Sequence, residues 1–103
     1  MKCIIGVLAT LSFLAFSQLA AQDFDKGLKA HEAGDYDTAA REWEPLAEQG
    51  NVEAQYNLGF MYYNGQGLTQ NSAEAVKWYR LAADQGHDDA QLNLGAMLSL
   101  IHI

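Results

Sequence analysis

Ala54-Gln55-Tyr56-Asn57-Leu58-Gly59-Phe60-Met61 is answered, 36 residues later, by Ala90-Gln91-Leu92-Asn93-Leu94-Gly95-Ala96-Met97. Gln49-Gly50 likewise returns as Gln85-Gly86, so eight of the thirteen positions from Gln49 to Met61 are identical, and Glu53 returns as Asp89. Further upstream, Ala39, Arg41, Trp43 and Ala47 map onto Ala75, Lys77, Tyr79 and Ala83. The match includes Asn, Gln, Leu and Met, so it is more than a coincidence of small residues. A period of this length means stacked supersecondary units, none of which can bury its oily face alone.

Each unit reads as two helices. From Val52 to Tyr63, Ala54, Leu58, Met61 and Tyr62 fall on one side of a 3.6-residue helix, and no Pro interrupts them. Asn64 to Asn71 then carries Gly65 and Gly67, which can take positive φ and release the chain. Asn71 or Ser72 can cap a second helix by accepting its free amide hydrogens. That helix presents Ala75, Val76, Trp78, Tyr79, Ala82 and Ala83 as a wide apolar face, and Gly86 suits its left-handed stop. Small Ala side chains and Gly59 let neighbouring helices lie close, with Trp78 and Tyr79 filling the space where they diverge. The earlier stretch repeats the plan with a tighter link: helix from Phe24 to Ala33, turn at Gly34-Asp35-Tyr36, Asp37 as cap, helix from Thr38 to Gln49. Pro45 lies inside the last of these and predicts a kink or local break near Arg41 to Trp43.

The whole chain has 103 residues, enough for one small domain. Half of them are hydrophobic, too rich a composition for a disordered tail. Thirteen acidic residues against six Lys and Arg give a net charge of -7, whereas nucleic-acid binding needs a basic footprint.

The residues from Ala54 to Leu68, with Ala75-Val76-Lys77-Trp78-Tyr79-Arg80-Leu81-Ala82-Ala83-Asp84-Gln85-Gly86, resemble a Sel1-like repeat. That family's pattern runs Ala-Gln, Leu-Gly, a Tyr, Gly-x-Gly-Val, an Asp, Lys-Ala, Trp-Tyr and Ala-Ala-x-x-Gly. Leu68 stands where Val is usual, Asn71 for Asp and Leu81 for Lys. The resemblance implies an all-α fold, an α-solenoid of stacked antiparallel helix pairs of the tetratricopeptide kind. Residues 22–50 would be a degenerate first repeat, 51–86 a complete one, and 87–97 the first helix of a truncated third. It further implies a non-enzymatic adaptor or scaffold that binds a protein or peptide, often exported from bacteria. The alternative is the repeat portion of a longer envelope protein or enzyme. A cysteine-rich subgroup is described as β-lactam-binding or hydrolysing, but beyond Cys3 this chain has no cysteine to brace such repeats.

Both ends carry a different character. Met1 and Lys2 precede an uncharged run from Ile4 to Phe16, and Ser17-Gln18-Leu19-Ala20-Ala21 closes in small residues, the layout of a signal peptide over 1–21. The run falls short of the about 20 apolar residues that span a bilayer. Cleavage after Ala21 is expected, with Gln22 as the mature start, a periplasmic or secreted destination, no membrane contact afterwards and no disulfide. At the other end the repeat pattern stops at Met97, and Leu98-Ser99-Leu100-Ile101-His102-Ile103 resembles the translation of a transposon end used to tag DNA. Residues 98–103 then count as a non-native tail, and a reading frame continuing past Met97 is the consequence to look for. An unpaired last helix carrying Leu92, Leu94, Met97 and Leu98 is expected to fray or to self-associate.

No residue pattern calls for catalysis, a metal or a cofactor. His31-Glu32 lacks the second His of a zinc helix, since position 35 is Asp, and His31 reads as a solvated helix residue. His87-Asp88-Asp89 reads as an acidic first turn complementing the positive end of a helix. Gly65-Gln66-Gly67 has no following Gly-Lys-Ser/Thr and is a connector. First helices of such repeats line the inner curve, which makes Glu53, Tyr56, Asn57, Phe60, Tyr63 and Asn93 candidate peptide-binding residues. Aromatic and amide groups offer rigid contact area and paired hydrogen bonds. For Tyr56 and Phe60, packing against the next repeat is the competing reading.

Overall fold

A computed structural model describes residues 24–101. The expected signal peptide at 1–21 and the last two positions of the expected tail lie outside the described residues. Five helices follow one another: α1 over residues 24–32, α2 Tyr36–Glu48, α3 Val52–Asn64, α4 Ser72–Asp84 and α5 Asp88–Ile101. α2, α3, α4 and α5 each pack against their neighbours in sequence, the arrangement of stacked helix pairs that the 36-residue period predicts. Among the described residues, no helix is long and apolar enough to cross a membrane.

Helix starts repeat with the same period, though not always with the same residue. Asp35 accepts from the Thr38 amide at 3.3 Å and, 36 residues on, Asn71 accepts from Glu74 at 3.1 Å. Asn51 accepts from Ala54 at 2.9 Å, and 36 residues on the acceptor is a ring nitrogen, His87 Nδ1, 3.1 Å from the Ala90 amide. The cap of α2 is therefore Asp35 and not Asp37, which sits in the first turn as a complement to the helix dipole. Helix exits follow the sequence more closely. Gly65 takes φ 69° and ends α3, while Gly67 at φ 68° passes so near the backbone of Tyr36 that a methyl group there would collide with it.

The expected break in α2 does not occur. Pro45 lies in its last turn, where the missing amide hydrogen costs a single intrahelical bond, and the Gln49 amide still reaches the Pro45 carbonyl at 3.1 Å. Glycine–aromatic contacts bring the paired helices closest together. A Cβ on Gly27 would stand 2.5 Å from Trp43 Nε1, and one on Gly59 would stand 2.9 Å from Tyr79 Cδ1. Trp43 and Tyr79 are correspondingly buried, at 1% and 2% exposure. Trp43 also donates its indole hydrogen to the Phe24 carbonyl at 3.2 Å. Side-chain amides run alongside: buried Gln55 donates to the Ala47 carbonyl and exposed Gln91 to the Ala83 carbonyl, each at 3.1 Å and one period apart. Gln85 adds a 2.8 Å bond to Gln55 Oε1, linking the ends of α2, α3 and α4.

Gly95 occupies the Gly59 position of the next unit, yet nothing lies within 4 Å of where its Cβ would be. The two glycines therefore respond oppositely to one methyl group. Gly59→Ala overpacks against the Tyr79 ring and is expected to lower stability by about 1–3 kcal/mol, less the helix preference regained. Gly95→Ala meets no neighbour and should raise stability by up to about 1 kcal/mol. Urea melts of the two variants check this; equal shifts would remove the glycine–aromatic contact from the account.

Candidate functional site

Among the described residues, shallow hollows open between the helices: two lie between successive odd-numbered helices, and a larger one of about 530 Å³ is lined by Tyr63 of α3, Ser72, Ala73 and Val76 of α4, and Met97 and Leu100 of α5. The first of the two, about 200 Å³, is lined by Leu28 and His31 of α1, Trp43 of α2, and Tyr56, Asn57 and Phe60 of α3. The second, about 220 Å³, takes Phe60, Tyr63 and Asn64 of α3, Tyr79 of α4, and Asn93, Ala96, Met97 and Leu100 of α5. Phe60 lines both and is 38% exposed.

Five of the six residues singled out from the sequence thus line one hollow or the other. Tyr56 and Asn57 belong to the first, Tyr63 and Asn93 to the second, and Phe60 divides them. Glu53 lines neither; its carboxylate stands 3.4 Å from His87 Nε2, with its side chain largely in solvent. Tyr56 also serves packing, stacked on the His87 ring at 4.4 Å between centroids and tilted against Tyr79 at 5.7 Å. Asn93 Nδ2 reaches the Tyr56 hydroxyl over 3.4 Å. His87 accepts through Nδ1 and faces Glu53 through Nε2, a pattern that a neutral ring protonated on Nε2 satisfies at both ends.

Leu28 and His31 escaped the sequence reading for a definable reason. The interval from Gly27 to Trp43 is four residues shorter than that from Gly59 to Tyr79, so α1 aligns with α3 at a spacing of 32 and not 36. At that offset Phe24 matches Tyr56, Leu28 matches Phe60 and His31 matches Tyr63. The ring pairs agree, with Phe24 against Trp43 at 5.9 Å and Tyr56 against Tyr79 at 5.7 Å. His31 is accordingly not a solvated residue. It is half-buried, 5.1 Å from the Tyr36 ring and 5.6 Å from Trp43, and bonded to Gln66 Oε1 at 3.1 Å. Among the described residues, no group of three or more His, Cys, Asp or Glu is placed to hold a metal ion.

Comparison with known proteins agrees with this geometry. Residues 52–87 match the model of the Sel1 repeat. Over 39 residues the chain is 49% identical to the sel1-like repeat-containing protein L18 of Acanthamoeba polyphaga mimivirus, covering 38% of this chain and 7% of that one. Over 62 residues it is 36% identical to an exopolysaccharide production negative regulator of Rhizobium leguminosarum bv. viciae, covering 60% and 23%. Among solved structures, the Sel1 repeat protein from Oxalobacter formigenes superposes with a TM-score of 0.69 at 36% identity, over 76% of this chain and 34% of that one. A protective antigen present in uropathogenic Escherichia coli strains, displaying an SLR fold, gives 0.72 at 36% identity, over 87% and 20%. The chain therefore spans less than a quarter of the length of either curated relative.

Burial pushes the Tyr79 hydroxyl up from 10.0 to about 12, an effect that the hydrogen bond from Asn93 partly offsets. Tyr62 shifts in the same direction, first through burial and then through Glu44 and Glu74. In the unfolded chain a tyrosine ionises near pH 10, while folded Tyr79 stays neutral until about 12. Below pH 10 the two states bind the same proton, so the difference appears only as pH rises, and stability falls between about 10 and about 12. Thermal melts across that window are expected to show the fall, reduced in Tyr79→Phe. An identical alkaline slope in the variant would remove Tyr79 as its source.

Proposed function

The chain carries a Sel1-like repeat, and on that footing we propose that it is a non-enzymatic protein-interaction module whose binding face is formed by α1, α3 and α5. One observation supports this reading above the others. Successive repeats contribute equivalent side chains, apolar and amide, to adjoining hollows on a single face. A continuous surface of that kind suits a polypeptide, which presents side chains at regular intervals.

The proposed setting is the bacterial periplasm or the cell exterior, following cleavage after Ala21. The charged start, the apolar run and the small residues of the leader support it. One experiment addresses partner and place together. The chain is expressed in a Gram-negative host with its own leader and a photo-crosslinking residue at position 57, or at position 80 of α4 as the control. Mature protein beginning at Gln22 is expected in the periplasm, with discrete adducts from position 57 and none from position 80. Product retained in the cytoplasm counts against the setting; equal adducts from both positions count against the face. The competing enzyme reading predicts nitrocefin turnover by the same purified protein, and none is expected.

A second reading concerns self-association through α5, favoured by the exposure of Leu92 (73%) beside the uncovered Gly95. Analytical ultracentrifugation should show a concentration-dependent dimer that Leu92→Glu dissociates. A monomer at all concentrations for the unaltered chain removes this reading.

A further inference from the structure

Resting on that binding face and specifying its occupant, we infer that the two hollows take one extended peptide segment bearing two apolar side chains, with no charged group between them and basic residues outside them. The lining chemistry sets the first condition. Neither hollow is lined by Lys, Arg, Asp or Glu, and the single titratable imidazole, that of His31, already meets Gln66 at 3.1 Å. A charged side chain or chain terminus seated there would leave water without gaining a counter-charge, which is costly.

Size sets the second condition. The first hollow, about 200 Å³, falls below the roughly 300–1,000 Å³ of pockets that swallow whole small molecules and suits one side chain; the second, about 220 Å³, does so too at its Phe60 end, and at Tyr63, Met97 and Leu100 it adjoins the larger hollow of about 530 Å³. Leu28, Trp43 and Phe60 supply apolar walls to the first; Phe60, Tyr79 and Met97 do so for the second, which Leu100 of the expected non-native tail also lines. Phe60 is a wall of both hollows, so one ring separates the two anchors, and groups packed on either side of a ring stand on the order of 10 Å apart. A strand rising about 3.3 Å per residue covers that interval in about three residues, so the anchors belong at positions i and i+3.

Asn57 and Asn93 stand at the same repeat position, one in each hollow. A carboxamide offers both a donor and an acceptor, which is what a peptide group between or beside the anchors requires. Charge sets the last condition. A chain of net charge -7 draws basic flanks toward the face, while the uncharged floor rejects them from the hollows themselves.

Fluorescence anisotropy with capped synthetic dodecapeptides tests this. The reference probe is acetyl-Lys-Lys-Gly-Ser-Leu-Ser-Gly-Leu-Ser-Gly-Lys-Lys-amide; its companions carry Asp for either Leu, or Glu for every Lys. The reference is expected to bind, with Asp at either anchor weakening it at least about tenfold. Glu flanks should weaken it in low salt and much less in high salt. Phe60→Ala and Leu28→Ser, both at exposed positions, should each weaken the reference probe while leaving the circular dichroism unchanged. Equal binding of Leu and Asp probes, all sensitive to Phe60→Ala, would overturn the proposed occupant and leave the binding face standing. Binding of the reference probe indifferent to both variants would overturn the face itself. No binding by any probe would overturn the occupant, the crosslinks from position 57 remaining the separate measure of the face.

Discussion

An aromatic ring resting against a glycine sets the distance between helices in this chain, and much else follows from that distance. Where Gly27 meets Trp43 and Gly59 meets Tyr79, the absence of a Cβ lets the ring approach the backbone of the neighbouring helix. That approach brings the surrounding alanines into contact: Ala39, Ala47, Ala54, Ala75 and Ala82 are almost wholly buried although none is large. Small residues contribute little individually; they matter here because the helices are near enough for their methyl groups to exclude water. A bulkier residue at Gly59 would push Tyr79 away and, with it, the row of alanine contacts on both sides.

The repeat preserves geometry more faithfully than identity. Asp35 and Asn71 perform one capping task, Asn51 and His87 another, and in each case what persists is an acceptor three residues ahead of an orphan amide. The glutamine bonds of Gln55 and Gln91 persist in both respects, although Gln55 is buried and Gln91 exposed. These regularities made the helices from Val52 onward readable before any coordinates: Gly65, Asn71 and Gly59 all act as their chemistry indicates. The first pair was harder to read. Its shorter link shifts α1 by four residues, so a comparison at a fixed spacing places no counterpart at Leu28 or His31. Asp37 was the wrong acid for the cap because two acids flank Tyr36 and local sequence alone does not say which one takes the non-helical conformation. Pro45 disrupts less than a mid-helix proline because only the last turn follows it.

The same rule that buries α3 leaves α5 open. Among the described residues α3 lies between α2 and α4, with Gly59, Ala54, Leu58 and Met61 all covered, whereas α5 packs chiefly against α4. Gly95 then faces open space where its equivalent faces Tyr79, and Leu92 is exposed where Tyr56 is half-buried. An exposed leucine on a helix is ordinary; Leu92 stands near a small-residue gap that in the preceding repeat receives a ring.

Candidate binding residues arise from the same packing logic, which explains why they were partly legible. Even-numbered helices bury their large rings, Trp43, Trp78 and Tyr79, and so spend their aromatic character on the core. Odd-numbered helices approach those rings through glycine and alanine, which leaves their own larger side chains, Leu28, Phe60 and Tyr63, to be accommodated on the remaining face at about 40% exposure. Solvent would ordinarily be met by charge on such a face, as it is at Lys26 and Glu42 on the flank of α1 and α2. Here no Lys, Arg, Asp or Glu lines the two hollows, although the chain as a whole is strongly acidic. Packing of the helix pairs does not require that combination, since polar residues at positions 28, 60 and 63 would leave the glycine–aromatic contacts intact. An apolar and hydrogen-bonding surface gains by losing its water, and that is the property the proposed contact with another polypeptide would use.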